Sequence, residues 1–160
     1  MKHIKLFAAA LILTAAVSCN QPQNSPETTT YDNAVVENIM TRRSIRKYTD
    51  QPVSRDVINK IMECGINAPN GQNKQSWEVR IVDDPQLLEE MSQAMADAHP
   101  ENRQAKGCFR GAPTMVFIAN DPSYDCSPVD CGLLSQNIML SAWSLGVGSV
   151  CLGSPVRFLV

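Results

Sequence analysis

The sequence predicts a single domain of the layered α/β or α+β class. Four segments carry apolar residues at helical spacing, short apolar runs typical of strands lie among them, and turn residues separate the two kinds of segment. Alternation of this sort is typical of a domain in which helices pack in layers against a sheet. The 160 residues suffice for one such domain.

The four predicted helices begin and end at recognisable signals. The first extends from about residue 33 to residue 42, and the second follows Ser54, a residue type that caps helix N-termini. The third begins at Pro85, because proline is favoured at the first helical position. The fourth and longest includes residues 133–145 and ends at Gly146.

Three short segments have the composition of strands. From Trp77 to Val82 apolar residues alternate with mostly polar ones, which predicts a strand with one face more buried than the other. The continuous apolar run from Thr114 to Ala119 is typical of a central strand. Residues 149–152 form the last predicted strand, so the order is helix, helix, strand, helix, strand, helix, strand.

The first 18 residues have the pattern of a secretory signal peptide. A basic start precedes an apolar run, residues 6–17, which is shorter than the roughly 20 residues that a membrane-spanning helix needs. Small residues then lead to Cys19, in a pattern that resembles the lipobox of bacterial lipoproteins. The resemblance implies cleavage before Cys19 and lipidation of its thiol. An ordinary signal peptide with an incidental cysteine is the alternative.

Residues 19–32 are predicted to be a flexible tether, because the stretch from Asn20 to Thr30 has no large apolar residue to bury. The folded domain is then expected over residues 33–160. Signal peptide, lipid anchor and tether together predict a protein of the cell envelope, held at a membrane on its periplasmic or outer face.

Composition argues against several other functions. A net charge of −2 does not suit a general nucleic-acid binder. The glycine patterns of a Rossmann dinucleotide site and of a P-loop are missing from the sequence. His3 and His99 are the two histidines, so a zinc site is not expected. The five cysteines after Cys19 show no disulfide framework and are expected to be small buried residues or free thiols, although Cys126 and Cys131 could form a local bridge.

A basic segment, residues 42–47, carries four cations at the end of the first predicted helix. Guanidinium groups bind phosphate through a bidentate donor fork, and the hydroxyl of Ser44 adds another donor. On charge alone, a solvated helix end is the better interpretation, because cations also complement a helix C-terminus. A basic patch facing nearby lipid is a further alternative.

An amide-rich loop, residues 67–76, leads into the strand that begins at Trp77. Side-chain amides offer both donors and acceptors, which suits the edge of a flavin ring with its own mixture of the two. Taken alone, the loop would more often be a plain turn, since Asn70-Gly71 is a strong turn signal.

The two segments together resemble a known family. The pattern R-R-S-x-R, followed by A-P-x-x-x-N-x-Q-x-W, is similar to motifs of the nitroreductase family of FMN-dependent oxidoreductases. A third match, residues 130–149, resembles the long central helix of that family and the glycine-rich turn after it. The resemblance covers about residues 34–154. It implies a nitroreductase-like FMN-binding fold of the α+β class, with a central mixed sheet flanked by helices.

The resemblance also implies a site. Arg42 and Ser44 would hold the FMN phosphate, with Arg43 beside them. Arg46 would lie near the N1/O2 edge of the isoalloxazine ring, where a cation favours the anionic reduced flavin. A loop of the partner subunit would line the flavin with Pro69, Asn70, Gly71, Asn73 and Gln75. Leu152 and Gly153 would lie under the ring.

The activity that the resemblance implies is reduction of nitroaromatics, quinones or related electron-poor acceptors with electrons from NAD(P)H, in two half-reactions on one flavin. Family members are homodimers with FMN at the interface. No catalytic acid or nucleophile is needed, which agrees with the lack of a convincing Ser/His/Asp or Cys/His set in the sequence. NAD(P)H is scarce outside the cytoplasm, so another electron donor, an electron-transfer role or a non-catalytic interaction module are the alternatives.

The chain departs from the family pattern at three places. Many members have hydroxyl residues where this chain has Asn70-Gly71, and many have proline where it has Ser76. The family also continues beyond the position equivalent to Val160, with a last strand and an arm around the partner. We therefore expect a sequence that is shortened at its C-terminus and lacks the last elements of the fold.

Overall fold

The computed structural model describes residues 32–159. The predicted signal peptide, Cys19 and residues 20–31 of the predicted tether lie outside the described residues, as does Val160. The described chain forms helices α1 (Ala34–Thr41), α2 (Arg55–Ile66), α3 (Pro85–Ala98), α4 (Ser127–Ser144) and α5 (Val156–Leu159), strands β1 (Trp77–Val82) and β2 (Met115–Asn120), and a single 3-10 turn at Gly71–Asn73.

The helices start where the capping residues of the sequence predict. The side chain of Asn33 accepts hydrogen bonds from the first free N–H groups of α1, at 2.9 and 3.2 Å. Ser54 Oγ accepts from Val57 N–H at 3.4 Å at the start of α2, and Asp84 caps α3 ahead of Pro85. Each cap satisfies N–H groups that have no partner within the helix. The α4 helix begins at Ser127, earlier than its apolar pattern indicates.

The sheet consists of two antiparallel strands, with Trp77 opposite Asn120 and Val82 opposite Met115. The predicted α+β class is confirmed, although this sheet is smaller than the mixed sheet expected from the resemblance. Within residues 32–159, parallel pairing is confined to one bridge, at which Ile45 N–H donates to the carbonyl of Ser149 at 3.0 Å. The prediction of a strand over residues 149–152 is therefore wrong, because beyond this bridge no described segment lies alongside to continue the ladder.

The α4 helix forms the centre of the main packing layer. Leu134 is fully buried and packs in the layer where α4 meets α2, whose Ile58 and Ile61 are 3% and 4% exposed. A Cβ atom added to Gly65 would lie 2.7 Å from Ile138 Cγ1, so the absence of a side chain at Gly65 lets α2 and α4 approach closely. A second cluster, under α3, contains Leu88, Met95, Cys108 and Phe109.

The α1 helix is held to the domain at a few points. It buries none of its residues, and its apolar side chains Val35, Val36, Ile39 and Met40 are 45–66% exposed. Two hydrogen bonds connect α1 to α4, from Asn38 Nδ2 to the carbonyl of Leu140 at 2.9 Å and from Trp143 Nε1 to Thr41 Oγ1 at 3.1 Å. Among residues 32–159, no helix combines the length and the apolar character that crossing a membrane demands.

Candidate functional site

The basic segment leaves helix α1 in an extended conformation. Arg42 ends α1 with φ −54° and ψ 134°, outside the helical region. Arg43 Nη1 donates to the carbonyls of Met40 and Arg42, at 2.7 and 2.9 Å, so this cation satisfies free acceptors of the helix end. Arg46 Nη1 donates to the carbonyl of Ser44 at 3.3 Å, and the Ser44 side chain is exposed.

Arg42 differs from its neighbours because one of its donors has no partner. Its Nη1 atom is buried and makes no hydrogen bond to any described residue, a condition shared within residues 32–158 by Thr114 Oγ1. Leaving a buried charged donor without an acceptor is costly, and folded proteins rarely do so. One guanidinium nitrogen of Arg42 is therefore covered by neighbouring groups and lacks an acceptor among the described residues.

The pKa of Tyr48 is affected by a further cation near the basic segment. Its hydroxyl donates to the carbonyl of Ile45 at 2.8 Å. Burial raises the pKa of the Tyr48 phenol, while the positive charges of Arg110 and Arg46 act in the opposite direction and offset part of this rise. Arg110 therefore adds a positive charge to this region. The sequence analysis missed it, because Arg110 follows the basic segment by some sixty residues and lies in no motif.

The amide-rich loop has an unfavourable backbone conformation. Gln72, Asn73 and Gln75 have positive φ values of 56°, 53° and 49°. The left-handed region costs roughly 1–2 kcal/mol for most residues other than glycine, and less for asparagine. All three side chains are exposed. Strained conformations of this kind persist where the surrounding structure fixes them, and they are common at ligand sites.

A buried polar network fixes both ends of this strained stretch. Asp130, which is 2% exposed in the first turn of α4, accepts a hydrogen bond from Gly71 N–H at 3.0 Å and another from Ser76 Oγ at 3.1 Å. Ser127, which is fully buried, donates to the carbonyl of Ser76 and accepts from Asp121 N–H at 2.9 Å. The sequence analysis missed this network. The one signal it offered was an acidic residue after a proline at the start of a helix.

A side chain at Gly71 would collide with the side chain of Tyr124. A Cβ atom there would come within 2.1 Å of Tyr124 Oη and 3.3 Å of Cys126 Cβ. The Tyr124 ring is also covered by Lys74, whose Nζ lies 4.1 Å from the ring centroid in a cation–π contact. The close approach of Tyr124 is a physical reason for glycine at this position.

The other residues implied by the resemblance are distributed along the chain. Pro69 is exposed between α2 and the 3-10 turn, and Asn70 Oδ1 accepts from Gln75 N–H at 2.9 Å inside the loop. Leu152 is half-buried and Gly153 is exposed, in irregular structure between the Ser149 bridge and α5. No hydrogen bond within residues 32–159 joins the loop to the basic segment, and a flavin-binding role for these residues remains a prediction.

Two open clefts lie outside the basic segment. One, of about 460 Å³, is polar and opens at the ends of β1 and β2 beside Lys74 and Tyr124. The other, of about 220 Å³, is apolar and lies where α2 and α4 meet β1. Within residues 32–159 no three His, Cys, Asp or Glu side chains come together to hold a metal ion.

The five cysteines of the described chain are free thiols, so the local bridge between Cys126 and Cys131 does not form. Burial raises the pKa of the thiols of Cys108 and Cys131. These two side chains are therefore protonated at neutral pH, which does not suit a nucleophile.

Comparison with known proteins gives a consistent result. The sequence model of the Nitroreductase family matches residues 39–158. An FMN-dependent nitroreductase of Clostridium difficile is similar in structure, with a TM-score of 0.67 and 38% identity over 73% of this chain and 59% of that one. A nitroreductase of Bacteroides fragilis with bound FMN superposes with a TM-score of 0.69 and 29% identity, over 79% of this chain and 78% of that one.

Relatives identified by sequence agree with the structural neighbours. The chain is 28% identical to an FMN reductase (NAD(P)H) of Bacillus subtilis, over 76% of this chain and 55% of the relative. It is 35% identical to proteins of Methanothermobacter thermautotrophicus and Archaeoglobus fulgidus, of which it spans 60% and 64%. The family match covers both the basic segment and the amide-rich loop, and the chain belongs to the nitroreductase family.

Proposed function

We propose that this chain binds FMN and serves an NAD(P)H-dependent oxidoreductase that reduces nitroaromatics, quinones or related electron-poor acceptors. The observation that carries the proposal is the buried Nη1 atom of Arg42, a guanidinium donor without a described partner in the segment that also carries the exposed Ser44. Family membership and relatives described as FMN-dependent support it. Because the chain spans 60% and 64% of its archaeal relatives, the activity of the whole protein belongs to the proposal.

The basic segment supplies the phosphate-binding groups in this proposal. A phosphate oxygen would complete the hydrogen bonding of Arg42, and Ser44 would donate its hydroxyl to the same group. Arg43 already bonds to two helix carbonyls, so its role would be to add positive charge rather than a direct contact. Arg46, which has one long bond to the Ser44 carbonyl, is free to turn toward the ring edge.

The amide-rich loop supplies groups for the ring. Asn73 and Gln75 present exposed side-chain amides from a backbone that the Asp130 network holds in place. Pro69, Asn70 and Gly71 form the start of the same loop, and Leu152 with Gly153 would lie beneath the ring. In the proposed assembly the loop lines the flavin of the partner subunit, so the functional unit is a homodimer.

Bound FMN would supply the redox chemistry, taking a hydride from NAD(P)H in one half-reaction and passing electrons to the acceptor in the next. The protein residues bind and orient the cofactor. A cation at Arg46 would stabilise negative charge at the edge of the ring. The thiols of Cys108 and Cys131 do not suit nucleophilic chemistry at neutral pH, because burial raises their pKa.

We further propose that the protein is a lipoprotein of the cell envelope, lipidated at Cys19 and tethered by the residues that follow. The pattern of the first 19 residues supports this. The location bears on the electron donor, because NAD(P)H is scarce outside the cytoplasm. Cell fractionation that finds the mature protein in the cytosol would contradict the anchor and the alternative donor together.

An absorbance spectrum of the purified chain tests FMN binding most directly. We expect flavin bands in the visible region, release of FMN on denaturation, and consumption of NADH or NADPH when nitrofurazone or menadione is added. Bound FMN without nicotinamide consumption would favour an electron-transfer role. A colourless protein that does not take up added FMN would contradict the proposed function.

A further inference from the structure

One buried carboxylate holds the amide-rich loop against helix α4. Asp130 accepts at both of its oxygens, Oδ1 from Gly71 N–H at 3.0 Å and Oδ2 from Ser76 Oγ at 3.1 Å. We propose that Asp130 is a positioning residue, which keeps the loop in the conformation that lines the flavin. The inference rests on the proposed function, because it assigns a role to Asp130 at the same site.

The two hydrogen bonds enclose the strained part of the loop. Gln72, Asn73 and Gln75, all with positive φ, lie between Gly71 and Ser76. A left-handed backbone at residues other than glycine relaxes when its surroundings no longer over-determine it. Because both ends are bonded to one side chain on a long helix, the amides of Asn73 and Gln75 are presented at fixed positions.

Both carboxylate oxygens of Asp130 act as hydrogen-bond acceptors. A backbone N–H and a hydroxyl both donate to Asp130, as they can to an ionised carboxylate. The carboxylate lies in the first turn of α4, where the helix dipole favours negative charge, and it makes no ion pair with another described residue. An asparagine at this position can accept from Gly71 N–H only with a neutral oxygen, and its amide must donate to Ser76 Oγ instead of accepting from it. The substitution therefore replaces two charge-assisted hydrogen bonds by weaker neutral ones.

Ser127 supports the same arrangement from the helix start. It is fully buried, donates to the carbonyl of Ser76, and accepts from Asp121 N–H at 2.9 Å. The C-terminal end of the loop is therefore fixed through its side chain by Asp130 and through its carbonyl by Ser127. The N-terminal end of the loop is connected to this network through the hydrogen bond from Gly71 N–H to Asp130. We therefore expect loss of Asp130 to affect this end more than the C-terminal end.

The experiment compares Asp130→Asn and Ser76→Ala with a control, Asp56→Asn. Asp56 is also acidic and in the first turn of its helix, α2, but it is exposed and has no contact with the loop. The control therefore removes the same charge from a helix N-terminus and leaves the loop intact. Hydrogen exchange of residues 71–76 is measured in the FMN-free protein. FMN affinity is measured by fluorescence titration, and the flavin environment by visible circular dichroism.

For Asp130→Asn we expect amide exchange at Gly71 to accelerate and FMN to bind about tenfold more weakly, with an altered visible dichroism. Ser76→Ala keeps the Gly71 contact and should give a smaller change in the same direction. Asp56→Asn should leave FMN binding and loop exchange as in the wild type. A purely structural role would lower the thermal midpoint without changing the dichroism of the flavin that remains bound.

Wild-type FMN affinity and dichroism in Asp130→Asn would overturn the inference while the proposed function stands. If Asp130→Asn does not fold, Ser76→Ala decides, and unchanged FMN affinity in that variant would overturn the inference. A wild-type chain that binds no FMN would overturn the proposed function and the positioning role together, so the wild-type titration distinguishes the two failures.

Discussion

The basic segment and the amide-rich loop differ in the number and kind of hydrogen bonds that hold them to the rest of the domain. The loop is bonded at both ends to buried groups on α4, through Asp130 and Ser127. The basic segment has one backbone bridge, to Ser149, and its cations bond either to nearby carbonyls or, at Arg42 Nη1, to no described group. The comparison indicates that buried side chains of the protein fix the loop, whereas the covered donor of Arg42 is left without an acceptor from the described chain.

This difference leads to separate expectations for the two regions. Substitutions in the network under the loop should lower the free energy of unfolding, because they leave buried polar groups without partners. Substitutions of the basic segment should alter ligand affinity and leave the stability of the free protein nearly unchanged. Any variant that affects both properties equally would weaken the distinction.

The largest effect on stability is expected for Ser127→Ala. The change removes two hydrogen bonds of a buried hydroxyl, while Asp121 N–H keeps its bond to the Ser76 carbonyl at 3.2 Å, and it should cost about 1–3 kcal/mol of unfolding free energy. Urea denaturation measures the loss. The matched control is Ser123→Ala, since Ser123 also bonds to Asp121 but is exposed, and its effect should stay within about 0.5 kcal/mol. Equal losses in the two variants would contradict the special role of the buried hydroxyl.

A more selective effect is expected for Arg42→Ala. FMN affinity should fall about tenfold or more, equivalent to at least ~1.4 kcal/mol, because a charged donor to the phosphate is lost. The unfolding free energy without FMN should change by less than about 0.5 kcal/mol, since the Nη1 atom has no described partner to lose. Fluorescence titration and urea denaturation give the two values.

Lys47→Ala is the control for Arg42→Ala, because it removes one exposed cation from the same segment. It should weaken FMN binding only slightly, through long-range charge that salt screens. If Lys47→Ala and Arg42→Ala weaken FMN binding to the same extent, the effect is one of net charge, and the specific phosphate contact of Arg42 is refuted.

A smaller effect, opposite in sign, is expected within the loop for Gln72→Gly. Glycine adopts the observed φ of 56° without steric cost, so the substitution should raise the unfolding free energy by about 0.5–1 kcal/mol. The same substitution in a helix, Gln93→Gly on the exposed face of α3, should lower it by about 1 kcal/mol. A loss of stability in both variants would show that Gln72 is not strained.

The smallest effect concerns Tyr48, beside the basic segment. Burial raises its pKa above the ordinary value of 10.0, so folding favours the neutral phenol. This contribution to stability is fully present below the unfolded pKa and is lost as pH rises, because the unfolded chain ionises first. Tyr48→Phe should lose less stability than the wild type when the pH is raised from about 8 to about 11. Parallel losses in the two proteins would exclude the effect.

The sequence was sufficient to predict helices α1 to α4 and the two strands that pair, but not the short helix α5. Asn33, Ser54 and Pro85 are local signals, and the apolar spacing after each one determines a helix that is largely independent of distant contacts. The family motifs likewise indicated that the basic segment and the loop form the candidate site. The expected strand over residues 149–152 failed because pairing depends on a neighbouring segment, which a local pattern does not reveal.

The network beneath the loop could not be predicted for the same reason. Asp130 and Ser76 are far apart in sequence, and each looks unremarkable in its local pattern. Ser76 was expected to depart from the family pattern, and in the structure its hydroxyl donates to Asp130, which a proline there could not do. The sequence could not predict the unpartnered donor of Arg42 either, because the burial of that one atom depends on how neighbouring groups pack around it.

The hydrogen bond at Gly71 also bears on the rate at which Asn70 is deamidated. Asn-Gly sequences lose the side-chain amide when the glycine nitrogen attacks the asparagine carbonyl carbon and closes a succinimide ring. Here the Gly71 N–H is bonded to Asp130, and the Asn70 oxygen accepts from Gln75 N–H. The folded loop should therefore keep Asn70 intact during storage at alkaline pH, and peptide mass mapping should find faster deamidation at Asn70 in unfolded protein or in Asp130→Asn.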